Sequence, residues 1–164
     1  MFDAGTKLVD ISQQFLKIIS RTFFPFLSRK IDKHTLFSKI YMLFTLIVTL
    51  GLIFFAPFLI PVFFSEEFSE SIKVLRLMAI SGVFLTMSNI YGTNYLIIIG
   101  RERSLRNLTM YASLLGFVIA IPLIYYGGYM GAVAIIVFVR MLLGVGSYLL
   151  AYNCKKNICK KNLL

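Results

Sequence analysis

Apolar residues run almost unbroken through four stretches of the chain, near residues 40–64, 74–99, 108–126 and 129–152. Apart from Arg76 and Arg140, the charged residues lie outside these runs. At about 1.5 Å per residue, each stretch is long enough to cross a hydrocarbon core of about 30 Å. A run of that length with no polar face predicts a membrane-spanning helix and not the surface helix of a soluble domain. Pro57 and Pro61 predict a kink where the first of these helices reaches the outer interface. Tyr125, Tyr126 and Tyr129 predict an aromatic belt at the outer end of the last two.

Residues 4–27 have a different pattern. Leu8, Ile11, Phe15, Ile18 and Ile19 keep close to helical spacing, while Gln14, Lys17 and Arg21 share another face. Such a helix either lies in the interface or crosses with its polar stripe turned toward a protein-lined cavity. The expected fold is therefore all-α: a polytopic membrane helix bundle of about five transmembrane helices. They form one membrane domain over residues 1–164, with helices near 4–27, 40–64, 73–99, 108–126 and 129–152 and a basic tail at 153–164.

Charge sets the expected orientation. The connectors carry in turn Arg29, Lys30, Lys33 and Lys39, then Glu66, Glu67 and Glu70, then Arg101, Arg103 and Arg106. Gly127–Gly128 follows without charge, and the tail ends with Lys155, Lys156, Lys160 and Lys161. The positive-inside rule puts the three basic segments in the cytoplasm, and so the N-terminus outside and the C-terminus inside. Composition agrees: 59% of residues are hydrophobic and mean hydropathy is +0.83, well beyond a usual soluble domain. The formal net charge of +10 is explained by attraction to an anionic inner leaflet, so no nucleic-acid partner is expected. The N-terminus, acidic and polar, does not read as a cleavable signal peptide. Cys154 and Cys159 lack the spacing of a zinc pair and read as free thiols.

Among single residues, Arg140 is the sharpest. It falls near the middle of the last apolar run, where a guanidinium costs at least about 2.5–3.5 kcal/mol to insert. One reading has Arg140 facing a water-filled cavity and binding an anion through its fork of donors. The other has it pairing with a helix end or a polar side chain for structural reasons. Lys17 and Arg21 either line the same cavity or form a solvated face. Asn89 and Asn94 either line a polar pathway or hydrogen-bond between helices. None of the acidic residues falls in the four strong runs, which argues against a proton-coupled exporter of cations and for an anionic substrate. There is no phosphate-binding GxxxxGK[ST] loop. The single histidine, His34, sits in a basic loop with no nucleophile placed beside it. No enzyme activity, cofactor or metal is expected.

Several stretches resemble, in order, the C-terminal half of the lipid-linked oligosaccharide flippases. These export O-antigen and capsular polysaccharide and belong to the multidrug/oligosaccharidyl-lipid/polysaccharide exporter superfamily. The stretches are FFPFLSRK (23–30), APFLIPVFFSEEFSESIKVLRLMAIS (56–81), YGTNYLIIIGRERS (91–104) and YYGGYMGAVAIIV (125–137). Where the family commonly has a glycine after the phenylalanine pair, Ser65 and Glu66 stand here. The resemblance implies a twelve-helix transporter of two lobes, of which about five helices fit in this chain. The expectation is a fragment, inactive alone, of a flippase that moves an undecaprenyl-pyrophosphate-linked oligosaccharide across the bacterial inner membrane. Its implied partners are the lipid bilayer, the anionic lipid-linked glycan, and the missing N-terminal half or other polysaccharide-assembly proteins. Arg140, Lys17 and Arg21 are then candidate linings of a cationic cavity. The alternatives are a multidrug exporter of the same superfamily and a small stand-alone membrane protein with a structural or assembly role. The topology has a direct check: a reporter fused after Leu164 is expected to be active only in the cytoplasm, and periplasmic activity would reverse the orientation.

Overall fold

A computed structural model describes residues 2–29, 33–64 and 71–161. The acidic connector with Glu66, Glu67 and Glu70, part of the first basic turn, and the surroundings of Cys159 lie outside the described residues and side chains. Helix α1 spans Phe2–Arg29 and α2 spans His34–Phe64. Helix α3 spans Ser71–Ser88 and continues through Asn89–Leu96 in wider π-type turns. Helix α4 spans Glu102–Lys161 and breaks at Gly128.

Helix is the expected outcome even where β-branched and aromatic residues crowd the sequence, as in α2. In hydrocarbon the backbone must satisfy its own donors and acceptors, and this outweighs the weak propensities of Phe, Ile, Val and Thr. The same constraint carries α2 through Pro57 and Pro61 without ending it. At the end of the α3 stretch the chain reverses at Gly100, whose φ of 73° suits a residue without a Cβ. There the Arg101 N–H donates to the Leu96 carbonyl at 2.8 Å.

Gly128, at φ 54° and ψ −134°, folds α4 back on itself into two limbs, α4a (102–127) and α4b (129–161). Leu108 lies against Gly146, Val139 against Gly116, and the Leu123 backbone against Gly131. These three pairs all centre on the Gly127–Gly128 turn, as an antiparallel hairpin requires. The uncharged connector read from the sequence is this turn.

Helix α3 is the hub. Ser81 meets Arg140, Phe84 meets Gly144, Ser88 meets Ser147 and Tyr91 meets Tyr148. These pairs advance together along both helices, so α3 and α4b run parallel. Gln13 packs on Gly82 and Ser20 on Asn94, so α1 also lies lengthwise along α3. Helix α2 runs the opposite way, with Thr45 beside Thr86 and His34 beside Ile90. The main core joins Val9, Ala56, Ile60, Val74, Leu75, Met78, Ala79 and Val133.

The outside of the bundle is apolar. Phe54, Phe55 and Phe58 on α2 and Leu114, Phe117, Val118 and Ile121 on α4a are all exposed. Water would not tolerate so continuous an apolar face, whereas lipid tails do. Among the described residues, three helices are long and apolar enough to cross a membrane: His34–Phe63, Ser71–Leu96 and Glu102–Lys155, the last folded at Gly128. The chain is an all-α membrane helix bundle.

The close approach of α3 and α4b makes one glycine sensitive and leaves another free. A Cβ on Gly144 would press on the backbone of Phe84, whereas one on Gly51 would meet nothing within 4 Å. Gly144→Ala is expected to cost about 1–3 kcal/mol of stability by overpacking. Gly51→Ala is expected to be neutral or to add up to about 1 kcal/mol from helix propensity. Thermal unfolding of the two purified variants in one detergent checks the contrast.

Candidate functional site

Two polar regions stand out in this apolar bundle. The first follows α1. Its packing face carries Val9, Leu16, Ser20 and Leu27, all buried. About a quarter turn around the helix, Asp10, Gln14, Lys17 and Arg21 form a second stripe, and all four are exposed. The remaining face is apolar and exposed, with Ile11, Phe15 and Ile18. A helix with three such faces has one for α3, one for lipid, and one that neither serves.

Arg140 stands beside the top of the polar stripe. Its Nη1 donates to Ser81 Oγ on α3 at 2.9 Å, and its Nη2 lies 3.7 Å from Asp10 Oδ1 on α1. The guanidinium side chain is 18% exposed and the Asp10 carboxylate 52% exposed. The arginine is therefore anchored on one side and open on the other. Its partner Asp10 belongs to the amphipathic helix and not to the four apolar runs, so the runs alone gave no sign of it. Lys17 and Arg21 lie about 10 Å and about 16 Å farther along the α1 axis by the helical rise. They continue the same stripe as Asp10.

The asparagines differ from each other. Asn94 is 1% exposed, and its amide donates to Ser20 Oγ on α1 at 2.7 Å. It is engaged between helices. Asn89 is half-buried at the start of the π-type turns.

The second polar region lies at the opposite end from the Gly127–Gly128 turn. A pocket of about 630 Å³ is lined by His34, Ser38, Tyr91, Tyr95, Tyr148, Tyr152 and Lys155, among others. His34 is buried and its Nε2 sits 3.1 Å from the Ile90 carbonyl. It is the first residue of α2, not part of an open loop. The Tyr91 and Tyr148 rings meet edge to face at 5.0 Å, Tyr148 stacks toward Tyr152 at 6.4 Å, and His34 lies 5.0 Å from Tyr95. The sequence does carry a signal for this cluster. Tyr91 and Tyr95, like Tyr148 and Tyr152, are four residues apart, which places each pair on one helix face. Among the described residues no group of three His, Cys, Asp or Glu could hold a metal ion. Cys154 is a buried free thiol.

Over 148 residues the chain is 30% identical to a protein of Shigella dysenteriae named "Putative O-antigen transporter". The match covers 87% of this chain and 37% of the relative, so the chain spans little more than a third of that protein's length. No family model matches the chain, and no solved structure matches it.

The two contacts of Arg140 differ in strength. A hydrogen bond from a charged donor contributes about 1.5–3 kcal/mol, whereas a long ion pair to a half-exposed carboxylate contributes about 0.2–1 kcal/mol. Ser81→Ala is expected to lower stability more than Asp10→Asn does. Comparison of their thermal midpoints under one buffer and detergent condition tests this order, and the reverse order would make Asp10 the main anchor.

Proposed function

We propose that this chain supplies part of one lobe of a transporter that moves a lipid-linked oligosaccharide across the bacterial inner membrane. The observation that carries the reading is the row of Arg140, Lys17 and Arg21 along the α1 side that neither α3 nor lipid serves. Helices α1, α2, α3, α4a and α4b would each cross the membrane. The polar stripe of α1 would then border a water-filled path shared with further helices. The relative's name supports a transport role and a glycan cargo. The relative is also much longer than this chain, which agrees with a pathway that several more helices complete.

In this reading the cationic row receives the phosphate groups that join the glycan to its lipid. Arg140 presents a fork of donors for paired oxygens, held at depth by Ser81. Asp10 occupies part of that fork when no cargo is present, so the arginine is never left without a counter-charge. Substrate oxygens would replace the carboxylate at little net electrostatic cost. Alternating exposure of the row would come from rocking of this lobe against its counterpart. Export of organic cations by the same geometry is disfavoured: Asp10 faces Arg140, and the row of Asp10, Arg140, Lys17 and Arg21 is positive as a whole.

In a full-length relative on which a host depends for surface polysaccharide, Arg140→Ala, made at the aligned position, is expected to abolish surface glycan at normal protein level. Arg140→Lys is expected to restore part of it. Immunoblots of surface glycan and of the membrane-inserted protein give the readout. Full export by Arg140→Ala would assign the residue to helix packing alone.

A further inference from the structure

The tyrosine-lined pocket shares no residue with the row of Arg140, Lys17 and Arg21. It therefore carries an inference that goes beyond the transport reading and does not depend on it. The pocket is built where the start of α2, the end of the α3 stretch and the later turns of α4b converge. Its wall is unusual for a membrane bundle. Four tyrosines and a histidine crowd one end, with the hydroxyls of Thr35 and Ser38 and the ammonium of Lys155 beside them.

Several features make this a surface for a ligand and not a packed core. The volume of about 630 Å³ is within the range of small-molecule sites. Tyr148 is 39% and Tyr152 57% exposed, so both side chains keep accessible surface even though their rings stack on one another. The inner wall is fixed. His34 is held at the Ile90 carbonyl, and Tyr91 is braced edge-on by Tyr148. Lys155 is exposed and lines the pocket, a compact positive charge with three donors.

The chemistry suits a molecule with three kinds of surface. The axial C–H face of a pyranose is apolar and weakly positive and packs on the negative face of an aromatic ring. Sugar hydroxyls exchange hydrogen bonds with phenol, serine and threonine hydroxyls. A phosphate draws the lysine. We infer that this pocket binds a sugar phosphate, with the sugar ring against Tyr148 and Tyr152 and the phosphate at Lys155. Neither a bare anion nor a neutral sugar uses all of the wall.

The test uses the full chain in nanodiscs of zwitterionic phosphatidylcholine and equilibrium dialysis of radiolabelled glucose 1-phosphate. Saturable binding is expected at about 1 mM or tighter. Unlabelled glucose, inorganic phosphate and glycerol 3-phosphate are each expected to compete at least about tenfold more weakly. Lys155→Ala and Tyr148→Leu are each expected to weaken binding about tenfold. Tyr125→Leu, exposed near the Gly127–Gly128 turn, leaves it unchanged. Far-UV circular dichroism confirms that each variant is folded, and Lys155→Ala removes only an exposed side chain. Any of four results overturns the proposal. Absence of saturable binding removes the site. Equal competition by inorganic phosphate makes it a general anion site. Equal competition by glycerol 3-phosphate assigns it to phospholipid headgroups. Indifference to both variants places the binding elsewhere.

Discussion

A helix surrounded by other helices in a membrane has no water to turn to, so its polar groups must be satisfied sideways. Helix α3 meets this constraint on three fronts. Ser81 accepts from Arg140 of α4b, Thr86 accepts from Thr45 of α2, and Asn94 donates to Ser20 of α1. Each bond ties a different neighbour to the hub at a different depth. Among the described residues, no buried side-chain polar atom is left without a partner. Van der Waals contact supplies the rest, since apolar tails give no hydrophobic drive for helix association. That is why small residues matter: Gly82 admits Gln13, and Gly144 lets α4b touch the α3 backbone.

Function draws on the same economy of polar groups. Among the described residues, two polar places carry arrangements that simple surface charge does not explain. One is the α1 stripe with Arg140 at its head; the other is the tyrosine-lined pocket at the basic end. They differ in chemistry. The stripe is a row of charges spaced by helical turns, with Asp10 beside Arg140 and Lys17 and Arg21 farther along α1. The pocket is a fixed aromatic wall with one cation, suited to holding a particular shape. The π-type turns over Asn89–Leu96 serve the second. They lie where Ile90 receives His34 and where Tyr91 and Tyr95 project, and wide turns of this kind often occur at functional positions.

Much of the architecture was legible because hydrocarbon imposes simple rules. Apolar length predicted helices, and the Gly127–Gly128 pair predicted the turn that folds α4. The amphipathic spacing of α1 predicted its polar stripe but left open whether it would lie across or along the bundle; packing against α3 sets it lengthwise. Contacts between distant residues were not legible. Nothing local to Asn94 points to Ser20, and nothing local to Arg140 points to Asp10, because those pairings depend on which helices become neighbours. His34 departs from its sequence expectation for a related reason. Its basic surroundings suggest a loop, yet helix α2 begins there and the ring sits against the Ile90 carbonyl. The tyrosine pairs were visible as spacing, but only the parallel packing of α3 on α4b brings the two pairs together.

The hairpin of α4 also bears on how the protein is made. Its limbs are joined by two glycines and pressed together through Gly116, Gly131 and Gly146, so neither limb can settle at a depth independent of the other. They are suited to leave the insertion machinery as a pair. Arg140 then enters the bilayer attached to an apolar companion whose own transfer from water is strongly favourable. A charge that would hinder a lone segment by about 2.5–3.5 kcal/mol becomes a modest deduction from the insertion of the two together. The glycine turn thus links the cost of placing Arg140 in hydrocarbon to the gain from its apolar companion limb.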